Sequence, residues 1–195
     1  MYTKFFKPLL GFIIALCAMP FFAIIYIFVA IAIKLDDGGP VFYMADRIGR
    51  NGKMFKMYKF RSMKVNAPVL YSADGSSYSA ADDPRVTRVG KFIRATSIDE
   101  TAQFLNILKG DMAFVGPRGR GSDSVGTFEE DELDLMKVKP GITGYCQAYF
   151  RNSASPREKR LKDAWYANHI SFALDAKIVF KTILTVLKRE NVYTD

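Results

Sequence analysis

Two adjacent carboxylates, Asp99 and Glu100, stand at the head of a helix-like run that starts at Ser97 and continues through Leu108. Ser97 followed by Glu100 three residues later is the capping-box pattern, and acids in a first turn meet the positive end of the helix dipole. Phe104, Leu105 and Leu108 recur at helical spacing, and Gly110 supplies a stop. The same two acids could instead perform covalent phosphoryl chemistry. One carboxylate would take a phosphoryl group as nucleophile while its neighbour holds a metal or moves a proton. Taken alone, the pair is explained at least as well by helix capping, so the surrounding residues must decide.

Those surroundings are basic. Arg85, Arg88, Lys91 and Arg94 accumulate just before the acid pair, and guanidiniums beside a helix start suit phosphate or pyrophosphate. Beyond the helix, Gly116-Pro117-Arg118-Gly119-Arg120-Gly121 forms a tight loop whose two arginines can fork onto phosphate oxygens. Upstream, Phe55 through Met63 alternates aromatic or Met residues with basic or polar ones, which predicts a strand with a basic face, Lys59 included. That face could serve phosphates or lipid headgroups, but for an isolated strand an ordinary solvated face is the better reading. Gly49 and Gly52 do not make a dinucleotide fingerprint, and no Walker-type Gly-Lys-Ser/Thr is present. The only histidine, His169, has no histidine partner, and Cys17 and Cys146 lack metal-site spacing. Acid–base chemistry therefore falls to carboxylates, lysines or tyrosines.

The elements that must position these groups follow from the rest of the chain. Its 195 residues suffice for one domain with a core. A net charge of +8 points to an anionic partner: nucleic acid, acidic lipid or a phosphorylated substrate. No nucleic-acid-binding module is recognisable. Residues 8–33 carry no charge, a run long enough to span a membrane. A cleaved signal peptide fits it poorly, because the apolar core is too long and no small-residue cleavage site precedes Lys34. Pro20 sits mid-run and should kink or break the helix. Lys4, Lys7 and Lys34 put positive charge on both flanks, and on these features a helix that enters and returns to one face and a straight span stand even. Residues 64–83 read as a polar surface loop, a candidate substrate lid, and residues 123–135 as an exposed acidic helix. Residues 157–169 read as a helix carrying Asp163, Trp165 and Tyr166. Residues 174–189 read as a basic amphipathic helix, suited either to a membrane interface or to the core.

A membrane segment, a basic domain, clustered arginines and an acid pair are explained together by an enzyme acting on a phosphate-containing substrate at a bilayer. Over nearly its whole length the chain also resembles the small monotopic bacterial phosphoglycosyl transferases, the bacterial sugar transferase family. The markers are the apolar run with Pro20, Gly39-Pro40-Val41-Phe42, Tyr58 through Met63, Asp83 through Gly90, and Arg94 through Glu100. Gln103, Leu108 through Met112, Val115-Gly116-Pro117-Arg118 and Val138 through Gly144 continue the series.

The resemblance implies transfer of a phospho-sugar from a UDP-sugar to polyprenol phosphate, with release of UMP, by a two-step covalent route with Mg2+. Asp99 would be the nucleophile, and Glu100 a metal ligand or proton acceptor. Asp99 and Glu100 together would hold the metal. Lys59, Arg94 and Arg118 would hold phosphates, and Asp163 matches a further acidic position. The short single-domain form favours an N-acetylamino sugar over a hexose. The implied fold is α+β and mainly helical. A re-entrant membrane helix-break-helix over 1–36 would precede a catalytic domain over 37–195 with interfacial amphipathic helices and a small β element, at the cytoplasmic face of the bacterial inner membrane. The implied partners are the UDP-sugar, polyprenol phosphate and the phospholipid membrane, without nucleic acid, and with an oligomer left open. The chain departs from the family pattern in three places: Met19-Pro20 replaces the common Ser-Pro, Pro8 and Gly11 replace an Arg and an Asp, and Pro117-Arg118-Gly119 replaces Pro-Arg-Pro. A membrane-anchored, non-catalytic binder of anionic lipids or proteins is the competing class, and it would tolerate loss of Asp99.

Overall fold

The computed structural model describes residues 1–70, 78, 80, 82–121, 128–150 and 153–188. Parts of the expected lid (71–77, 79 and 81) and residues 123–127 of the expected acidic helix lie outside the described residues.

A short π-helical turn, Tyr2–Phe6, leads into α1, Lys7–Asp37. Gly38 ends α1 at φ +71°, a left-handed conformation that glycine adopts without penalty. The expected break at Pro20 is absent, since α1 is one helix with Pro20 inside it. Proline removes one helical donor, but a full break would strand several more backbone groups along an apolar face, where each unpaired group costs several kcal/mol. Gly11, Ala15, Phe22, Val29 and Ile33 form the single buried stripe of α1. Leu9, Phe12, Phe21, Ile24, Phe28 and Leu35 are among its exposed apolar residues. The helix is long and apolar enough to cross a membrane.

The predicted strand is β2, Met54–Phe60, and it pairs antiparallel with β1, Phe42–Ile48, in register from Phe42↔Phe60 to Ile48↔Met54. β4, Arg120–Gly121, adds to the other side of β1, so β2 is an edge strand of this sheet. Helix α2, Arg88–Ala95, begins at Thr87, whose hydroxyl accepts the Gly90 N–H at 2.9 Å. Gly90 is required there because a Cβ would collide with the Ser62 carbonyl. Next come a 3-10 segment, Ile98–Gln103, and α3, Phe104–Leu108. β3, Ala113–Val115, pairs in parallel with β5, Gly141–Thr143. The chain closes with α4 (Tyr145–Tyr149), α5 (Pro156–Asn168) and α6 (Phe172–Lys188). The architecture is α+β and mainly helical.

The buried stripe of α1 is part of the core. Phe22, Val29 and Ile33 pack with Phe60 of β2, Ile93 of α2 and Ala102. Ala15 packs with Met57, Ile107 and Met112. A third cluster joins Val115, Ala148, Tyr166 and Ile178. Both ends of α1 are also tied down. Lys7 Nζ lies 2.5 Å from Asp175 of α6 and 2.8 Å from the Tyr166 hydroxyl of α5. At the far end, Arg61 clasps the Asp37 carboxylate, and Asp36 accepts the Val89 N–H at 3.0 Å.

Two further expectations change. The described part of the acidic stretch is a 3-10 helix, Glu130–Lys137, and it is not uniformly exposed. Glu132 is fully buried because Arg160 reaches it from α5 at 2.7 Å. Helix α6 packs into the core on one face and leaves apolar residues exposed on another: Asp175, Ile178 and Thr185 face inward, while Phe172, Phe180 and Ile183 stay exposed beside the exposed Lys177.

Candidate functional site

The acid pair enters the site through an unusual turn. Helix α2 ends at Thr96, and Ser97 adopts φ +57°, a left-handed conformation uncommon for a residue with a Cβ. The Ser97 N–H donates back to the Arg94 carbonyl at 3.1 Å. Ser97 is thus the reversal after α2, and no side-chain cap forms there. The expected capping box is absent for a second reason: Glu100 is engaged elsewhere. Its Oε1 lies 2.9 Å from Lys59 Nζ and 3.4 Å from the Arg118 guanidinium. The acids begin a 3-10 segment rather than an α-helix.

Asn106 brings the two halves of the site together. This fully buried residue of α3 accepts the Tyr58 N–H at 2.9 Å and donates to the Lys56 carbonyl at 2.7 Å. It completes the open edge of β2 as a neighbouring strand would. Lys59, one residue further along β2, is thereby set against the acid pair. Its Nζ is 3.8 Å from Asp99 Oδ2. A polar residue flanked by Leu105 and Ile107 was the sequence signal for this clamp.

Asp99 is only 8% exposed. Burial pushes its carboxyl above the usual carboxylate range, Lys59 opposes that most strongly, Glu100 adds to it, and Arg94 and Arg118 favour the charged form. Four of the expected site residues, Glu100, Lys59, Arg94 and Arg118, thus converge electrostatically on Asp99. Lys59, Glu100 and Arg118 also line one cleft with Gln103 and Gln147.

Asp163 lies behind this cleft. It is 1% exposed, accepts the Arg118 backbone N–H at 3.4 Å, and pairs with the Arg120 guanidinium at 3.0 Å. Burial pushes its carboxyl up to about 6 against the pull of Arg120. Asp163 therefore holds the Pro117–Arg120 loop from below, and Arg120, expected to fork onto phosphate beside Arg118, turns toward Asp163. Pro20, in α1, does not line this cleft.

The residues fit a divalent cation. Two neighbouring carboxylates completed by phosphate oxygens and water are how Mg2+ is usually held. Among the described residues there is no larger His, Cys, Asp or Glu cluster to compete.

Fold and cleft together define an α+β protein with one long apolar helix, in which the buried Asp99 and the half-buried Glu100 are ringed by cations. The chain belongs to the bacterial sugar transferase family, whose model matches residues 2–189. It is 39% identical over 168 residues to an undecaprenyl-phosphate galactose phosphotransferase of Salmonella typhimurium, covering 80% of this chain and 35% of that protein. It is 39% identical over 189 residues to a UDP-N-acetylgalactosamine-undecaprenyl-phosphate N-acetylgalactosaminephosphotransferase of Aeromonas hydrophila, covering 94% and 44%. An uncharacterized sugar transferase of Bacillus subtilis, EpsL, is 39% identical over 170 residues, covering 87% and 81%. The chain spans less than half the length of the first two relatives.

Proposed function

We propose that this protein transfers a phospho-sugar, an N-acetylamino sugar by preference, from a UDP-sugar to polyprenol phosphate and releases UMP. The observation that carries this reading is the buried Asp99 beside the half-buried Glu100, facing Lys59, Arg94 and Arg118, in a member of this family. A nucleophilic carboxylate must be charged, and three cations next to a desolvated acid favour that form.

In the first step an Asp99 carboxylate oxygen bonds to the sugar-proximal phosphorus. The bond from that phosphorus to the bridging oxygen breaks, and its electron pair leaves with UMP. In the second step a phosphate oxygen of polyprenol phosphate attacks the same phosphorus. The bond to Asp99 breaks, which restores the carboxylate and yields the polyprenol diphosphate sugar. Glu100 takes any proton that the acceptor phosphate carries. Lys59, Arg94 and Arg118 offset phosphate charge in both steps. Mg2+ held by Asp99 and Glu100 would neutralise further charge on the diphosphate.

The reaction needs a soluble nucleotide and a lipid phosphate at one surface. Support for a disposition of α1 on one face of the membrane is that both of its ends are bound to one folded body, through Lys7 and through Asp36 and Asp37. A helix of 31 residues is about 46 Å long, more than the roughly 30 Å of a bilayer core. The exposed Phe172, Phe180 and Ile183 of α6 supply a second apolar contact with lipid at the cytoplasmic face of the inner membrane.

Intact-protein mass after mixing the protein with Mg2+ and a panel of UDP-sugars tests this. The expected result is a gain of one phospho-sugar that is absent in Asp99→Asn, with turnover lost in both Asp99→Asn and Asp99→Ala. Near-normal turnover in either variant would overturn the nucleophile. No UMP release with any donor when polyprenol phosphate is present would favour a non-catalytic lipid-binding role.

A further inference from the structure

Both acids of the pair face cations, but the cations do not use them alike. Lys59 Nζ lies 2.9 Å from Glu100 Oε1 and 3.8 Å from Asp99 Oδ2, so its hydrogen bond goes to Glu100. The Arg118 guanidinium reaches the same Glu100 oxygen at 3.4 Å. One carboxylate oxygen thus bridges two of the cations assigned above to substrate phosphates. Lys59 is the stronger hold. Its side chain is 19% exposed against 52% for Arg118, and water screens an exposed pair.

That bridge imitates a phosphate contact, since carboxylates and phosphates present the same kind of charged oxygen to lysine and arginine. A phosphate and Glu100 therefore compete for the same two side chains. Glu100 is also compromised while it holds them, because neighbouring cations favour its charged form and make it a poorer proton acceptor. Lys59 cannot escape by a shift of its strand, because Asn106 holds the preceding Tyr58 N–H at 2.9 Å. The pair has to part through its side chains.

We propose that Glu100 is an internal stand-in for substrate phosphate: it holds Lys59 and Arg118 until a diphosphate displaces it, and the displacement frees Glu100 for its part in the reaction. The inference rests on the transfer reading above. It orders the events at the site, because the proton acceptor is released only when the phosphates have engaged the cations. A ligand parts the pair only by binding the parted form more tightly. A diphosphate brings several charged oxygens against the one that Glu100 offers, so it can displace Glu100. Its apparent affinity is reduced by the fraction of time that the pair is parted.

Inorganic pyrophosphate, titrated calorimetrically into the full-length protein in detergent with EDTA, reads this competition without metal or sugar. Glu100→Gln should bind pyrophosphate about tenfold more tightly than the wild type, the gain expected of a pair closed about nine-tenths of the time. Loss of a negative charge would tighten binding by plain repulsion as well, and Lys59→Met separates the two effects. In a Lys59→Met background no Lys59 contact remains to be released, so the gain from Glu100→Gln should shrink to about threefold or less. Glu100→Asp keeps the charge but draws it back by a methylene, and it too should bind more tightly than the wild type. A Glu100→Gln protein that binds no more tightly than the wild type, or a gain of the same size in both backgrounds, would overturn the proposal. If Lys59→Met does not fold, Glu100→Asp decides, and an affinity equal to that of the wild type overturns it. Should any of these occur while the wild type forms the Asp99 adduct with a UDP-sugar, only the competition is refuted. If neither the wild type nor Glu100→Gln binds pyrophosphate and no adduct forms, the transfer reading fails with it.

Discussion

Asn106→Leu removes the clamp between α3 and β2 at nearly constant volume. Two hydrogen bonds disappear, at 2.9 Å to the Tyr58 N–H and at 2.7 Å to the Lys56 carbonyl. Each backbone group left unpaired in a buried setting costs about 1–3 kcal/mol. β2 is only partly covered at these positions, so about 1–2 kcal/mol apiece is the better figure, and the pair sums to about 2–4 kcal/mol. A protein of this size loses about 2–4 °C in Tm per kcal/mol, which gives a fall of about 5–15 °C. Thermal and denaturant unfolding in detergent measure it. Transfer activity should fall as well, because Lys59 is the residue after Tyr58 and its 2.9 Å contact with Glu100 depends on the register of β2. A variant within about 0.5 kcal/mol of wild type, with unaltered activity, would refute the argument that Asn106 assembles the site.

Two other perturbations follow from buried charge. Asp163 titrates near 6 in the folded protein, above its ordinary value of 3.8, because burial disfavours the carboxylate. The folded state therefore binds its proton more tightly than the unfolded chain. Asp163's contribution to stability is present below the ordinary value and is lost as pH rises from about 4 to 6, by roughly 3 kcal/mol. Asp163→Asn should flatten that part of a stability–pH curve, and an unchanged slope would refute it. Asp175→Ala leaves Lys7 buried without its carboxylate and removes the acceptor for Tyr2 and Tyr166. Breaking such a pair costs about 3–5 kcal/mol. Chemical denaturation should show that loss, and Lys7→Met combined with Asp175→Leu should recover part of it.

Much of the local structure was legible in the chain before folding. The apolar run, the alternating strand with Lys59, the helix carrying Asp163 and the stop at Gly110 are short-range patterns that depend on neighbours within one or two turns. The cationic grouping around Asp99 was legible too, because those positions matched a family pattern.

What failed shows where local pattern loses its authority. Ser97–Glu100 and Ser155–Glu158 carry the same capping signature. At Ser155 the box forms, with the Ser155 hydroxyl accepting the Glu158 N–H and the Glu158 carboxylate accepting the Ser155 N–H. At Ser97 it does not, because Lys59 and Arg118 arrive from distant strands and loops and claim Glu100. The chemical types of the site residues were settled by the sequence itself. Their partners were settled by tertiary structure: Asn106 against the edge of β2, Arg120 turned toward Asp163, and α1 kept whole through Pro20. The physical reason is that charged and hydrogen-bonding groups choose partners by distance in space, and the strongest ones available here lie more than forty residues away along the chain.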